Sequence, residues 1–241
     1  MATFNGVPYV QEQIASILDE LGRDDEVVVV DDCSEDSTVS VLRAIRDPRV
    51  KIHTQEVNLG HVKTFERAIG LARGDLILFA DQDDIWVAGR VEKITRHLRE
   101  GAVVASNLRS MEGQPTAHRH RDLRAREKGQ GLRCLWRLMV GTIPYYGCAM
   151  GLRADFLDVA MPFPRFAPSH DLWIAIAANV AGEMSHLEDV TVHRRVHTRN
   201  ISAVSRRSLP SVALSRWRFL CCMLVAARRS FRVGRLRKAS H

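Results

Sequence analysis

Residues 75–86, DLILFADQDDIW, decide the fold class of this 241-residue chain. The run from Asp75 to Ala80 is almost entirely apolar, which is the pattern of a strand buried on both faces inside a parallel sheet. Four polar residues follow it immediately, Asp81-Gln82-Asp83-Asp84. The stretch therefore predicts a buried strand that delivers carboxylates to one edge of a sheet.

The residues before this stretch repeat the same arrangement. A second apolar run, 26–32, ends in Asp31-Asp32, and helical spacing of apolar residues follows in 61–72. This alternation predicts an α/β fold with a Rossmann-like, mostly parallel central sheet and helices on both faces. Ligands bind beyond the carboxyl ends of such strands, where both carboxylate groups lie. Residues 1–6 have the pattern of only the end of a strand, so the N-terminal strand is predicted to be truncated.

The carboxylates after residue 80 predict a metal site. Two aspartates separated by one residue repel each other, and a divalent cation relieves that repulsion. Mg²⁺ or Mn²⁺ binds hard oxygen ligands and commonly bridges carboxylates to phosphates. Asp81 and Asp83 are therefore candidate ligands for a metal that carries a diphosphate. The alternative is a solvated turn in which Asp84 caps the following helix.

Composition limits the classes of protein to consider. Apolar residues make up 46% and charged residues 26% of the chain, as in a globular domain. Five cysteines without a C-x-x-C pair favour reduced thiols and a cytoplasmic location. The start of the chain has no signal-peptide pattern, and the longest apolar run, 219–227, is too short to span a membrane. A nicotinamide or P-loop site is not indicated, because no G-x-G-x-x-G and no G-x-x-x-x-G-K occurs.

The charge is divided unevenly along the chain. The net charge is +7, but 13 of the 35 Lys and Arg residues lie after residue 190, where no acid occurs. The rest of the chain is acidic, so no nucleic-acid partner is expected. Residues 204–241 are predicted to form a basic amphipathic helical tail suited to an anionic membrane surface, with a peripheral position on the inner face of the cytoplasmic membrane. The alternative is a helix that packs on the domain and exposes a basic face.

Several segments, taken together and in order, resemble those of one known family. They are MATFNG (1–6), VVDDCSED (29–36), NLG (58–60), KTF (63–65), GD (74–75), DQDDIW (81–86), GCAM (147–150), SHDLW (169–173) and RVHTRNIS (195–202). The chain resembles family 2 glycosyltransferases of the GT-A fold, and among them the bacterial rhamnosyltransferase-like branch. The chain differs from the family pattern at Cys33, where Gly is usual, at Thr64, where Asn is usual, and at Arg194, where an aromatic residue is common.

The resemblance implies a reaction and a division of the chain. The reaction is inverting transfer of a sugar, with rhamnose as a candidate, from a dTDP- or UDP-linked donor to a hydroxyl of a glycan or lipid-linked glycan. Its setting is cell-surface polysaccharide synthesis, with Mg²⁺ or Mn²⁺ as cofactor. Residues 1–203 form the GT-A domain, with a nucleotide-binding half at about 1–107 and an acceptor half at about 132–203. The polar loop 111–131 between them is a candidate lid.

The resemblance also implies roles for individual residues. Asp171 is the candidate catalytic base; the alternative is that it caps its helix. The predicted nucleotide-sugar contacts are Thr3, Asn5, Asp31, Asp32, Asn58, Lys63, Asp81 and Gln82, and the predicted acceptor contacts are Gly147, Cys148, His170 and Trp173. Arg195 and His197 are predicted to bind phosphate, and Asp83, Asp81 and His197 to bind the metal. A non-catalytic glycan- or membrane-binding relative of the same fold is the competing hypothesis.

Overall fold

The computed structural model describes residues 1–114, 122–197 and 209–239, without the side chains of residues 209 and 237–239. Part of the predicted lid (115–121), the end of the RVHTRNIS segment (198–202) and the start of the tail (204–208) lie outside the described residues. The strands are β1 (Ala2–Thr3), β2 (Val27–Asp31), β3 (Val50–Thr54), β4 (Leu76–Leu78), β5 (Ile85–Trp86), β6 (Val103–Ser110), β7 (Met150–Arg153) and β8 (Met184–Arg194). The helices are α1 (Val10–Leu18), α2 (Thr38–Ala44), α3 (His61–Leu71), α4 (Arg90–His97), α5 (Gly131–Met139), α6 (Leu157–Ala160), α7 (His170–Ala181) and α8 (Leu209–Ala239).

The first sheet is parallel and has the order β1-β2-β3. All five residues of β2 are buried, which agrees with the apolar run from which the strand was predicted. Ala2 pairs with Val30 and Thr3 with Asp31, so the two-residue strand β1 ends beside the end of β2. The residues that follow both strands therefore lie at one sheet edge.

The second sheet is mixed and has the order β4-β7-β6-β8-β5. Strands β6 and β8 are parallel, whereas β7 pairs antiparallel with both β4 and β6, and β5 pairs antiparallel with β8. The predicted α/β class is thus accompanied by more antiparallel pairing than the sequence suggested. A fully buried strand is apolar on both faces in either direction, so its pattern does not reveal its orientation.

Strand β8 was not predicted, although it lies inside the second sheet, between β6 and β5. Exposed Glu188 and Asp189 interrupt its apolar pattern halfway along. The pairing of β6 with β8 shifts register at this point, between Ser106 and Leu108. A bulge of this kind breaks the alternation by which a strand is recognised. Beyond the bulge, β8 continues to Arg194 and leads directly to Arg195 and His197.

Helices α7 and α8 form much of the main core. Residues 173–178 of α7 are fully buried, and Trp173 donates its indole N–H to the Ala160 carbonyl over 2.8 Å. Helix α8 packs on α6 and α7 through Phe219, Cys222 and Ala226. The predicted basic C-terminal helix is therefore present as a 31-residue helix docked on the domain.

Helix α8 also has a property that the longest apolar run did not indicate. Within the part of the chain that the structure describes, residues 210–236 are long and apolar enough, by length and composition alone, to cross a membrane. The apolar residues are spread along the helix between arginines rather than gathered in one run, which is why the run length missed them.

Candidate active site

A cluster of carboxylates lies just beyond β4. Carboxylate oxygens of Asp81 and Asp84 and the thiol of Cys148 all lie within 4.8 Å of one another. Burial, followed by the charges of Asp84 and Asp83, raises the pKa of Asp81 well above its usual value. Burial and the charge of Asp83 likewise raise the pKa of Asp84 to about 6. The cluster has the electrostatics of a site that favours a cation.

His197 and Arg195 reach this cluster from the end of β8. The imidazole Nε2 of His197 lies 2.7 Å from Asp83 Oδ2, and its ring stacks on Tyr9 with centroids 4.8 Å apart. The backbone N–H of Arg195 donates to Asp84 Oδ1 over 3.2 Å. Both residues predicted to bind phosphate therefore lie against the predicted metal ligands.

The guanidinium of Arg195 also has protein partners. Its Nη2 donates to Glu12 Oε2 over 2.5 Å, its Nε donates to the Asp83 carbonyl over 3.3 Å, and the group lies over the Tyr9 ring. A phosphate would therefore share this cation with Glu12. Tyr9 and Glu12 were missed by the sequence analysis, because nothing in a helix start distinguishes them from surface residues.

Arg90 is a second residue that the sequence analysis missed. It is fully buried, and it donates to Thr191 Oγ1 over 2.5 Å and to the Cys148 carbonyl over 2.7 Å. Its guanidinium also lies 4.6 Å from the centre of the Trp86 ring. The site thus has a buried positive charge behind its carboxylates, linking α4, β8 and the turn before β7.

On the β1–β2 side, Asp31 organises a hydrogen-bonded turn. Its carboxylate accepts from the hydroxyl of Thr3 over 2.8 Å and from the N–H and hydroxyl of Ser34 over 2.8 and 2.6 Å. The side chain of Asn5 accepts from the N–H of Glu35 over 2.9 Å. Thr3, Asn5 and Asp31 are therefore brought together at the ends of β1 and β2.

Asp32 holds the next loop in place. Its Oδ1 accepts from Leu59 N–H over 2.8 Å and from Gln55 Nε2 over 2.6 Å, and its Oδ2 accepts from Gly60 N–H over 2.9 Å. The carboxylate is buried and its hydrogen bonds are internal. Asp32 thus positions the Asn58–Gly60 loop, and Asn58 itself is exposed.

Lys63 is engaged away from the carboxylate cluster. Its ammonium lies 2.5 Å from Glu66 Oε2, and the other oxygen of Glu66 accepts from Phe163 N–H over 2.6 Å. Gln82, in contrast, points back to the first strand, where its amide forms two hydrogen bonds with the backbone of Phe4. Of the predicted nucleotide-sugar contacts, Asp81 and Gln82 therefore belong to the carboxylate loop after β4. The others lie outside that loop: Thr3, Asn5, Asp31, Asp32, Asn58 and Lys63.

The predicted acceptor residues meet the cluster at Gly147–Cys148. A methyl group at residue 147 would lie 2.4 Å from His170 Nε2 and 3.3 Å from Asp171 Cβ, so only glycine fits. Cys148 lies against Asp84 and Asp81. The negative charge of Asp171 also contributes to the raised pKa of Asp81. The structure thus brings the candidate base close to the candidate metal ligands.

His170 is buried against aromatic rings beside Asp171. Its ring stacks on Phe65 with centroids 3.8 Å apart, and neither ring nitrogen has a hydrogen-bond partner among the described residues. Burial lowers the pKa of His170 to about 4, so the ring is neutral at physiological pH.

Asp171 lies in the first turn of α7. Its Oδ1 accepts from Ser169 Oγ and from Leu172 N–H, the latter over 2.7 Å. The side chain is half-buried. Trp173, one turn from the start of the same helix, is fully buried behind the site. It supports the helix that carries Asp171, and its predicted part in acceptor binding stays a prediction.

The mixed sheet, the strand-end carboxylates and the Gly147–Cys148 turn agree with the glycosyltransferase fold expected from the sequence, and comparison with known proteins supports it. The family model for glycosyl transferase family 2 matches residues 1–159, and the chain belongs to this family. The structure of TarS residues 1–349 of S. aureus in complex with UDP-GlcNAc superposes with a TM-score of 0.69 at 20% identity, covering 90% of this chain and 63% of that one. The predicted GT-A fold is thereby confirmed.

Two relatives illustrate the family at the sequence level. The succinoglycan biosynthesis protein ExoO of Rhizobium meliloti is 38% identical over 106 residues, which are 44% of this chain and 30% of ExoO. The dTDP-rhamnosyl transferase RfbG of Shigella flexneri is 33% identical over 99 residues, 38% of this chain and 34% of RfbG. The matched region spans less than half the length of these curated relatives.

The residues present fit a divalent metal. Asp81 and Asp84 supply neighbouring carboxylate oxygens, which Mg²⁺ and Mn²⁺ prefer, whereas the carboxylate of the predicted ligand Asp83 lies against His197. Burial and the neighbouring carboxylates raise the pKa values of Asp81 and Asp84, and a bound cation would oppose both effects. Glycosyltransferases of this fold typically use a divalent metal.

Proposed function

We propose that this chain is an inverting glycosyltransferase that moves a sugar from a nucleoside diphosphate to a hydroxyl of a glycan acceptor in cell-surface polysaccharide synthesis. One observation carries the proposal. The Gly147–Cys148 turn contacts both the carboxylate cluster after β4 and the start of α7. It thereby brings the carboxylates that would hold a metal-bound diphosphate close to the carboxylate of Asp171, which would take a proton from the acceptor.

The proposed roles follow from this arrangement. Inverting transfer is a single displacement, which needs a base on the acceptor hydroxyl and charge stabilisation on the departing diphosphate. Asp171 takes the proton, and its hydrogen bonds to Ser169 and Leu172 hold its carboxylate in one orientation. Asp83 and Asp81, with His197, would hold Mg²⁺ or Mn²⁺, which supplies positive charge to the diphosphate. Arg195 adds a cation at the same edge.

The nucleotide is proposed to bind at the edge formed by β1 and β2. Thr3, Asn5 and Asp31 shape this edge, and Asp32 fixes the loop that contains Asn58. The similarity to RfbG favours a dTDP-linked deoxysugar such as rhamnose, and a UDP-sugar is the second candidate. Lys63, paired with Glu66, would have to exchange that partner to reach the donor.

The acceptor is proposed to be a lipid-linked glycan met at the membrane surface. The observation that supports this is the basic helix α8, which is docked on the domain and lacks any acidic residue. Such a helix suits a peripheral position on an anionic cytoplasmic leaflet.

The first experiment is a calorimetric titration of dTDP and of UDP, each with and without Mn²⁺. Metal-dependent binding that is lost in Asp83→Asn supports the donor site. Asp171→Asn is expected to bind the nucleotide normally and to lose transfer, because the base acts only on the acceptor. Asp24→Asn is the matched control, since this exposed aspartate lies outside the candidate site. Absence of binding of either nucleotide to the folded protein would instead favour a non-catalytic relative.

A further inference from the structure

Helix α5 carries an exposed apolar stripe that the proposed activity does not use. Leu132 is 83%, Trp136 60% and Val140 38% exposed. Residues four apart lie on one face of a helix, so the three side chains form a single row. The opposite face, with Cys134 and Leu135, is buried in the core. Val140 lies just beyond the end of the helix. An exposed apolar row of this kind is typical of a surface that binds a partner.

Helix α8 carries a similar row. Trp217 is 60%, Leu224 72% and Phe231 68% exposed, and the three residues are seven positions apart. Leu220, which is 50% exposed, lies beside them. The face that holds Phe219 is buried instead. Each of the two helices therefore has one face in the core and one apolar face outward.

The distribution of tryptophan points to the nature of the partner. The chain has four tryptophans, all within the described residues; Trp86 and Trp173 are buried, and the two exposed ones are Trp136 on α5 and Trp217 on α8. Tryptophan at the centre of an exposed apolar row suits the boundary between lipid acyl chains and headgroups.

The charge around both rows is positive. Between residues 123 and 153 the only acid is Glu127, which is paired with Arg137, whereas Arg124, Arg126 and Arg133 are exposed. Helix α8 contains no acid at all. Apolar rows flanked by arginines complement an anionic lipid surface, which attracts the cations and accepts the apolar side chains.

Both helices pack on α7, and polar contacts also fix α8 to α6. Gly131, at the start of α5, lies so close to the Asn179 carbonyl of α7 that a methyl group there would be 2.5 Å from the oxygen. Helix α8 is held by Arg229, which donates to the carbonyls of Val159 and Ala160 over 3.1 and 3.3 Å. These contacts keep each outward row in place, and they oppose insertion of α8 across a bilayer.

We propose that α5 and α8 together form a docking surface for an anionic lipid bilayer, with the row Leu132, Trp136 and Val140 as a contact separate from the basic tail. The inference adds α5 to the membrane position proposed above, and its test does not depend on sugar transfer. Because both helices pack on α7, docking would hold the start of α7, and with it Asp171, in a fixed orientation to the bilayer.

Fluorescence quenching by brominated lipid tests each helix separately. The probe is the full chain with vesicles of brominated phosphatidylcholine that contain about 30% phosphatidylglycerol. Trp217→Phe leaves Trp136 as the exposed fluorophore, and Trp136→Phe leaves Trp217. Both single variants are expected to be quenched well beyond the double variant, in which only buried tryptophans remain. Quenching of Trp217 without quenching of Trp136 would overturn the role of α5.

Vesicle co-sedimentation measures how strongly the protein partitions onto the bilayer. The double substitution Leu132→Ser and Trp136→Ser removes the centre of the row and is expected to weaken partition about tenfold. Val57→Ser is the matched control, since Val57 is 59% exposed but lies outside both helices, and its partition should be unchanged. Nucleotide titration of the Leu132→Ser, Trp136→Ser double variant should be normal, so a failure of docking is distinguishable from a failure of the donor site.

Two other results would contradict the proposal. If the wild-type protein sediments as a dimer, and if the α5 variant becomes a monomer while vesicles fail to bind either form, the row is an interface between two copies. If vesicle-bound protein resists release by high salt and is extracted only by detergent, α8 inserts as a span rather than lying on the surface.

Discussion

The side-chain amide of Gln82 is paired with the backbone of Phe4. Its Nε2 donates to the Phe4 carbonyl over 3.0 Å, and its Oε1 accepts from the Phe4 N–H over 2.9 Å. The pair joins the carboxylate loop after β4 to the end of β1, two segments 78 residues apart. It lies so close to Gly6 that a methyl group there would be 2.3 Å from Oε1. Gln82 therefore acts as a link between the two sheets at the site.

Gln82→Ala removes both hydrogen bonds and leaves two backbone groups of Phe4 without partners. Because both hydrogen bonds are exposed and water replaces them in part, we expect the free energy of unfolding to fall by about 0.5–1.5 kcal/mol, measured by urea denaturation, together with weaker nucleotide binding. Gln82→Glu retains the acceptor and loses the donor, so it should lie between Gln82→Ala and the wild type. Unchanged stability in Gln82→Ala would show that the two hydrogen bonds do not contribute to the free energy of unfolding.

Gly147→Ala is expected to displace the candidate base. The added methyl group would lie within 2.4 Å of His170 Nε2, so His170 and Asp171 must move. We expect kcat to fall about tenfold or more, equivalent to about 1.4 kcal/mol, with nucleotide affinity nearly unchanged. Gly70→Ala is the control, because this exposed glycine in α3 has no atom within 4 Å of the added methyl group. The control should retain activity and gain about 0.5 kcal/mol of stability.

The buried His170 predicts a loss of stability in mild acid. Burial lowers its folded pKa to about 4, whereas an unfolded histidine titrates near 6.5. Above pH 6.5 the ring is neutral in both states and its contribution is constant. As the pH falls from 6.5 towards 4, only the unfolded chain binds the proton, so stability declines by up to about 3 kcal/mol. His186, whose pKa burial also lowers, contributes in the same direction, whereas the raised pKa values of Asp81 and Asp84 contribute in the opposite direction.

Urea denaturation at a series of pH values measures this slope. His170→Gln, which does not titrate, should lose less stability than the wild type between pH 6.5 and 4, and the difference between the two profiles is the contribution of His170. An equally steep profile in this variant would assign the acid sensitivity to other groups.

Cys33 occupies a backbone conformation that favours glycine. Its φ is 65°, in the left-handed region, and its thiol makes only a 3.5 Å contact with the Glu56 carbonyl. Relief of this strain in Cys33→Gly outweighs the added freedom of the unfolded chain, and we expect a gain of about 0.5–1 kcal/mol. Thermal or urea unfolding measures the gain. Cys33→Ala is the matched control, which keeps the strain and should show no gain.

Strands and helices could be predicted from the sequence where their apolar pattern is uninterrupted. Strand β2 and helix α3 lie within a residue or two of the runs 26–32 and 61–72 from which they were predicted, and β4 lies within the run 75–80. The second sheet was not predictable in detail. The bulge near Glu188 hides β8, and β5 has only two residues. Strand direction also escaped prediction, because it is set by connections rather than by side-chain pattern.

The part of the candidate site that could be predicted from the sequence consists of short segments with a recognisable residue pattern. The segments at 81–86, 147–150 and 169–173 converge in the structure. The supporting residues were not predictable, because their significance is purely spatial. Arg90 belongs to an ordinary amphipathic helix in the sequence, and Glu12 to an ordinary helix surface. Only the packing of α1 and α4 against the strand ends brings them to the carboxylates.

The buried guanidinium of Arg90 affects the charge balance of the carboxylate cluster. An assembly of acidic groups without any internal counterion would tend to open until its ligand arrived. Burial lowers the pKa of Arg90 only to about 10, so it stays charged at every physiological pH, and its charge acts on Asp84. The positive charge of Arg90 therefore offsets part of the repulsion among these carboxylates within the folded chain itself.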